Sequence, residues 1–359
     1  MSRSRFRPVA SGTSVTLKDV ASRAGISVAT VSHVINGTRK VTDETRACVF
    51  AAIEELGYSG HSIARSLRRG RTAMLGLVVS DIENPFFTTL ASRVQRAAAL
   101  HGYQLIFANS EERPDREREI VEAMSAQRVD GIILAPVARE NAELLSKRRI
   151  PLTLVNRRFP DVASPYVVVD DFAGASMAFD HLWDLGHRSI AIIHGDEHRS
   201  TTIERVAGVR DSCKRRGGLP EQILSINAGR SGDAGEAGLV ELLARTTRPT
   251  AILALSNWSL LAAIRGLHRS LLRCPNDVSL VGYGVTSPYW IPASSISMVE
   301  QPVTEIAENA VQLLLDQLAN ASNIQPVVLR PLLTVGQSSG PVGGRPHGEI
   351  KTNADGSLQ

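Results

Sequence analysis

The sequence predicts an α/β protein with a small, basic, all-helical head and a long body of doubly wound sheet. Three observations predict it. Residues 1–72 hold twelve basic and five acidic side chains, whereas the remaining residues hold 28 and 31, so a positive head precedes a slightly negative body. Residues 16–57 carry apolar side chains at helical spacing, punctuated by caps and glycines. From residue 73 onward, short apolar runs alternate with helical patterns, as buried parallel strands and their crossover helices do.

Composition closes off other classes. A 43% hydrophobic and 21% charged chain of 359 residues is too apolar for wholesale disorder and long enough for two or three domains. Its three cysteines, Cys48, Cys213 and Cys274, are widely spaced and form no C-x-x-C pair. They fit a reducing compartment rather than a disulfide framework or a zinc site. The start MSRSRFRPVASG lacks a signal-peptide apolar run, and no uncharged stretch reaches the ~18 residues that would span a bilayer. A cytoplasmic protein with no membrane contact is expected.

In the head, residues 1–15 read as a disordered basic leader and 16–59 as three helices. Thr16 caps the first, whose inner face holds Leu17, Val20, Ala21 and Ala24 before Gly25 stops it. Ser27 caps the second, with Val31, Val34 and Ile35 inward and Asn36-Gly37 at its end. Thr42, followed by Asp43 and Glu44, opens a third that runs through Ile53 and Leu56 to Gly57. The spacing from small Ala21 to Gly25 and on to Val31 suits two helices crossing steeply through a short turn, the requirement of a helix-turn-helix. An ordinary helical hairpin would expose a charged face. Here the second helix instead exposes Ala29, Thr30, Ser32 and His33, short groups that suit a major groove.

Residues 60–71 follow as a hinge, with Arg65, Arg68, Arg69 and Arg71 beside Ile63, Ala64 and Leu67. One or two turns of helix are too short to persist alone. The segment is expected to order on DNA against its dimer mate, Leu67 wedging into the minor groove.

The string TLKDVASRAGISVATVSHVING, then ELGY, then ARSLRRGRT resembles the LacI family of bacterial transcriptional regulators, and the likeness continues to about Ser338. Carried over by position, it implies Val28, Ala29 and His33 as readers of base edges. Thr16, Leu17, Ser27, Thr30, Ser32 and Asn36 would hold phosphates, with Ala64 and Leu67 in the hinge. Gly60 and His61 stand where relatives usually have Pro and Asn.

In the body, strands are expected at Met74–Val79, Gln104–Ala108, Gly131–Ala135, Leu152–Val155, Tyr166–Val169, Ile190–Ile193, Ala251–Leu255 and Ser279–Gly282. The resemblance implies a periplasmic-binding-protein-like pair of lobes with three crossovers and a ligand cleft between them. The effector-binding and dimerisation domain would cover 72–338. Lobe one would take 72–187 and 300–327; lobe two, 188–299 and 328–338. Residues 339–359 read as a disordered tail.

No P-loop, G-x-S-x-G, H-E-x-x-H or G-x-G-x-x-G stands in the chain, so no enzyme, cofactor or metal site is expected. His187 reads as structural and Asp170-Asp171 as a helix cap. The resemblance places an arginine five residues before the glycine of a G-F element, where this chain has Ile203. It places Asn-Asp where Ser256-Asn257 stand ahead of Trp258, and an aspartate where Gly284 follows Gly282-Tyr283. These departures imply a changed ligand, with Asn84, Phe86, Arg199 and Arg230 as further cleft residues, and Tyr289 and Trp290 close by. The expected effector has fewer hydroxyls than a neutral hexose: a sugar derivative, an organic acid or an aromatic metabolite.

The combined expectation is a homodimeric regulator of operator DNA, most simply a repressor, tuned by that small molecule. A ligand-activated activator and a solute-binding protein without regulatory role are the alternatives.

Overall fold

The computed structural model describes residues 15–36, 38–39, 41–56, 58, 72–229, 231–285 and 296–343. In the head, α1 (Leu17–Ala24), α2 (Val28–Asn36) and α3 (Asp43–Leu56) surround Val20, Ala21, Val31, Val34, Val49, Ala52 and Ile53. Each helix begins as its cap dictates. The Asp19 carboxylate accepts from the Thr16 backbone N–H at 2.8 Å and its hydroxyl at 2.7 Å. Ser27 Oγ accepts from Thr30 N at 3.1 Å, and Thr42 Oγ1 from Thr45 N at 3.3 Å. Gly25 turns the chain at φ 68°, a left-handed conformation that costs glycine little. Arg23 pairs with Glu55 across the bundle.

The body holds two parallel-sheet lobes. The first contains β1 (Met74–Val79), α4 (Pro85–Leu100), β2 (Gln104–Asn109), α5 (Pro114–Ala126), β3 (Gly131–Leu134), α6 (Arg139–Lys147), β4 (Leu152–Val155) and β5 (Tyr166–Val169). The second begins with α7 (Asp171–Asp184), β6 (Ile190–His194), α8 (Ser200–Arg215), β7 (Leu224–Asn227) and α9 (Asp233–Leu243). It continues through β8 (Ala251–Ala254), α10 (Asn257–Arg269), β9 (Ser279–Gly284) and β10 (Ser297–Glu300). The chain then returns to the first lobe for α11 (Val303–Leu318) and β11 (Val327–Leu329), and ends its second sheet with β12 (Leu332–Thr334). Strand orders are β11-β5-β4-β3-β1-β2 and β12-β10-β9-β8-β6-β7, with β12 antiparallel to β10.

All eight expected strands form. Four others, β7, β10, β11 and β12, lie outside the expected set: LSIN, SMVE and LLT carry polar residues within or beside a short apolar stretch, and VVL is only three residues long. The lobe boundaries also differ from expectation. Residues 171–187 belong with the second lobe, since Ala175, Ala178, Phe179 and Leu182 of α7 pack against Ile190, Ile192, Val281 and Tyr283. The first crossing therefore falls at Asp170. β11 pairs with β5 in register Val327↔Val167 to Leu329↔Val169, so the last crossing follows 329 rather than 327.

Two features fix the second lobe. A Cβ on Gly208 would lie 2.2 Å from the carbonyl oxygen of Phe172, so α7 and α8 touch backbone to backbone, and Ser176 Oγ donates to Gly208 O at 2.9 Å. The start of the expected disordered tail is docked instead: Val342 N donates to Leu185 O at 3.1 Å, and His181 Nε2 meets Ser339 Oγ at 2.8 Å. His187 Nε2 lies 3.0 Å from Gly340 O and its Nδ1 lies 2.9 Å from Thr250 Oγ1. A carbonyl only accepts, so Nε2 carries the proton and Nδ1 accepts from threonine. This is the structural role read for His187.

Gly208→Ala should cost about 1–3 kcal/mol by forcing two backbones apart, read as a lowered unfolding midpoint. Burial holds both His181 and His187 below their ordinary value of 6.5. The unfolded chain thus takes up these protons first, and stability is whole above 6.5 and falls as the pH drops towards the depressed folded values. Denaturant titrations on either side of 6.5 should show this slope, and His187→Gln should flatten it.

Candidate functional site

In the head, Thr16, Ser27, Val28 and Ala29 are exposed, and Leu17, Thr30, Ser32 and His33 are half-buried. Val28 and Ala29 lead the N-terminal turn of α2, the end that a recognition helix offers to base edges. Part of the polar set is already engaged within the head. Ser27 and Thr30 share their hydroxyls at 2.8 Å, and His33 Nδ1 lies 2.8 Å from Thr38 Oγ1. Leu17 packs on the head's core, which leaves its backbone as the group for a phosphate. Asn36 ends α2. Ala64 and Leu67 lie outside the described residues.

In the body, both sheets point the C-terminal ends of their strands at a cleft of about 540 Å3, a size suited to a small molecule. Asn84 and Phe86 line it, as do Arg199, Ser256, Asn257 and Trp258. Several of these side chains are committed before any ligand arrives. Asn84 Oδ1 caps α4 by accepting from Phe86 N at 3.1 Å. Ser256 Oγ caps α10 by accepting from Ser259 N at 3.1 Å. Phe86 meets Phe87 edge-on at 5.0 Å. Arg230, Tyr289 and Trp290 lie outside the described residues.

Two expected positions do not line the cleft. Ile203 sits on α8 with 55% of its surface exposed. Residues two apart on a helix point about 200° apart, and it is Arg205, not residue 203, that turns inward. Arg205 is buried, lines the cleft and donates from Nε to Asp171 Oδ1 at 2.8 Å and from Nη1 to Leu255 O at 2.7 Å. Its guanidinium lies 4.0 Å from the centre of the Tyr283 ring, and Tyr283 Oη donates to the same Asp171 oxygen at 2.7 Å. A cationic group is therefore present, contrary to expectation, three residues before Gly208. Asp170 is the cap that the sequence suggested, accepting from Ala173 N at 2.9 Å, but Asp171 is an ion-pair partner.

Gly284 is buried at φ 147°, and a Cβ there would lie 2.0 Å from Asn257 Oδ1. Asn257 takes that space, donating from Nδ2 to Val285 O at 3.0 Å and accepting from Val285 N at 3.3 Å. The two departures are thus one: the asparagine amide pairs with backbone, and its neighbour must be glycine.

A charged cluster escaped the sequence reading. Glu112 accepts from Arg157 at 2.6 and 3.0 Å, and Arg199 reaches it from the other lobe at 2.8 Å. Burial pushes the Glu112 carboxyl up, but the charges of Arg157 and Arg199 outweigh this and hold it below its ordinary range. These partners are 45 and 87 positions apart in sequence, and no local pattern marks them. Asn156, Thr202 and Gln301 also line the cleft without having been anticipated.

Arg205→Met should leave Asp171 as an uncompensated buried charge and cost about 3–5 kcal/mol, measurable by chemical denaturation. Adding Asp171→Asn to it should recover part of that loss.

Residues 16–60 match the model of the bacterial regulatory proteins of the lacI family, and residues 179–339 match that of the periplasmic binding protein-like domain. The chain is 33% identical over 312 residues to the HTH-type transcriptional repressor PurR of Klebsiella pneumoniae (strain 342), covering 85% of this chain and 91% of that protein. A solved complex of the transcriptional regulator CelR with cellobiose is 30% identical, with a TM-score of 0.68 over 90% of this chain and 99% of that one. The lac repressor dimer bound to operator and the anti-inducer ONPF has the same fold, with 24% identity and a TM-score of 0.74 over 91% of this chain and all of that one.

Proposed function

Because the chain belongs to the LacI family of bacterial regulatory proteins, we propose that it is a sequence-specific DNA-binding regulator of transcription, most simply a repressor. The observation that carries this reading is the head. A short turn at Gly25, closed by Ile26 N donating to Ala21 O at 3.1 Å, leads into a helix whose first turn exposes Val28 and Ala29 beside hydroxyls, the end of a recognition helix that enters a major groove. Val28, Ala29 and His33 read base edges. Thr16, Leu17, Ser27, Thr30, Ser32 and Asn36 hold phosphates, and Ala64 and Leu67 dock the hinge in the minor groove. Two heads on a symmetric dimer require a near-palindromic operator.

The body serves as sensor. Its cleft takes a small molecule, and a change in the angle between lobes changes operator affinity. The cleft's arginines, carboxylates and amides, set beside Phe86 and Trp258, suit a polar ligand with an apolar or ring face. The relatives are regulators rather than enzymes, so binding, not turnover, is the role assigned to the cleft. Among the described residues no helix is long and apolar enough to cross a membrane. An operator partner places the protein's work in the bacterial cytoplasm.

Operator fragments selected from a random pool should be near-palindromic. Log affinity, read by fluorescence anisotropy, should fall linearly with log salt as counterions are released. Thr30→Ala should weaken binding roughly evenly across sequences, whereas Val28 or Ala29 substitutions should change which sequence is preferred. Leu67→Ala should lower affinity and reduce DNA bending. A protein that selects no sequence, or whose binding ignores salt, contradicts the proposal.

A further inference from the structure

Two charge-assisted side-chain bridges join the lobes among the residues that line the cleft, beside a longer Arg158–Glu204 pair at 3.5 Å. At one, the Trp258 indole Nε1 on α10 donates to Asp81 Oδ2, just after β1, at 2.7 Å. Asp81 is itself oriented, its Oδ1 accepting from Glu83 N at 3.0 Å. At the other, Arg199 at the start of α8 places Nη2 2.8 Å from Glu112 Oε2 and donates from Nη1 to Val137 O at 3.1 Å, both on lobe one. Each lobe prepares its half of this second bridge. Lobe one fixes Glu112 with the bidentate Arg157. Lobe two steadies the Arg199 guanidinium with Asp196, 3.3 Å from Nε. Val137 is braced from behind by the buried Glu117 carboxylate, which accepts from Val137 N at 2.6 Å and from Ala138 N at 3.1 Å.

These bridges are of the stronger kinds. Both are charge-assisted, and Glu112 and Arg199 are 14% and 21% exposed, so salt screens them less than surface pairs. Each also joins elements that belong to different lobes, so it exists only when the lobes approach. Separating the lobes would strip one donor from the Glu112 carboxylate and one from Asp81, and leave Arg199 to be resolvated.

Resting on the reading of the cleft as the effector site, we infer that Trp258–Asp81 and Arg199–Glu112 form a built-in latch that holds the lobes together without effector. The latch sets the population of the closed form, and the effector adds its own contacts to an equilibrium already biased by the protein. Weakening the latch therefore changes the apparent effector affinity by the fraction of molecules that remain closed.

The test uses the full chain, free of ligand and DNA. Spin labels at Leu100→Cys on lobe one and Leu271→Cys on lobe two, both at highly exposed sites, report lobe separation by pulsed electron resonance. Cys48→Ser removes the exposed native thiol, and dilution with unlabelled protein leaves one labelled protomer per dimer. Trp258→Phe keeps the ring but removes the donor. Arg199→Met removes the cross-cleft charge and leaves the Glu112–Arg157 pair of lobe one in place. The unsubstituted protein should give one narrow distance distribution, each variant a partial shift to longer distance, and the double variant a long, broad one. Circular dichroism and the unfolding midpoint confirm that the variants fold. A broad, long distribution in the unsubstituted protein overturns the latch, as does a double variant that folds and does not shift. Because the readout contains no DNA, its failure leaves operator recognition standing, and loss of operator selection leaves the latch standing.

Discussion

The body depends most on a single buried guanidinium. Arg205 joins α8 to α7 through Asp171, to the end of β8 through Leu255 O, and to β9 by lying against the Tyr283 ring. Burial pushes the Asp171 carboxyl up, against the pull of Arg205 and of the Tyr283 hydroxyl, and burial also raises Tyr283, which keeps its proton to donate. A buried charge pair of this kind adds little net stability over apolar packing, but it tolerates few alternative arrangements. Its contribution here is positional. It registers α7, α8 and β9 against one another at one wall of the cleft.

Glycines make that registration possible. A Cβ on Gly174 would lie 2.7 Å from the Tyr283 hydroxyl, and one on Gly208 would strike the backbone of Phe172. Removing side chains at both crossings lets α7 approach closely enough for Asp171 to reach Arg205. The same logic joins Gly284, the residue after Tyr283 on β9, to Asn257. The second lobe's edge of the cleft is thus shaped as much by where side chains are missing as by where they stand.

Around this rigid wall the remaining cleft groups are shared between lobes. Lobe one supplies Asp81 and the Glu112–Arg157 pair, and lobe two supplies Trp258 and Arg199. A sensor needs a site whose completeness depends on lobe geometry, because only differential contacts in two states transmit a signal. Dividing each bridge between the lobes satisfies that condition, whereas the Arg205 cluster lies wholly within one lobe.

The contrast between local and distant relations decides what was legible. Helix caps, glycine stops and apolar runs are written within a few residues, so the head's three helices and eight body strands could be read from the chain. The short strands β7, β10, β11 and β12 could not, because their pairing is decided by neighbours far away in sequence. The family offset points to position 203, but helical phase decides the matter: residue 205 lies on the buried inner face and 203 outside. The assignment of α7 to the second lobe followed its partners rather than its place before the strand it precedes. By itself the sequence determined a basic helical head, an α/β body and a family likeness, since these rest on composition, periodicity and contiguous motifs. Only the tertiary structure decided which lobe owns α7, that residue 205 rather than 203 turns into the cleft, and that Glu112 stands between Arg157 and Arg199. Those contacts join residues tens of positions apart, and folding alone brings them together.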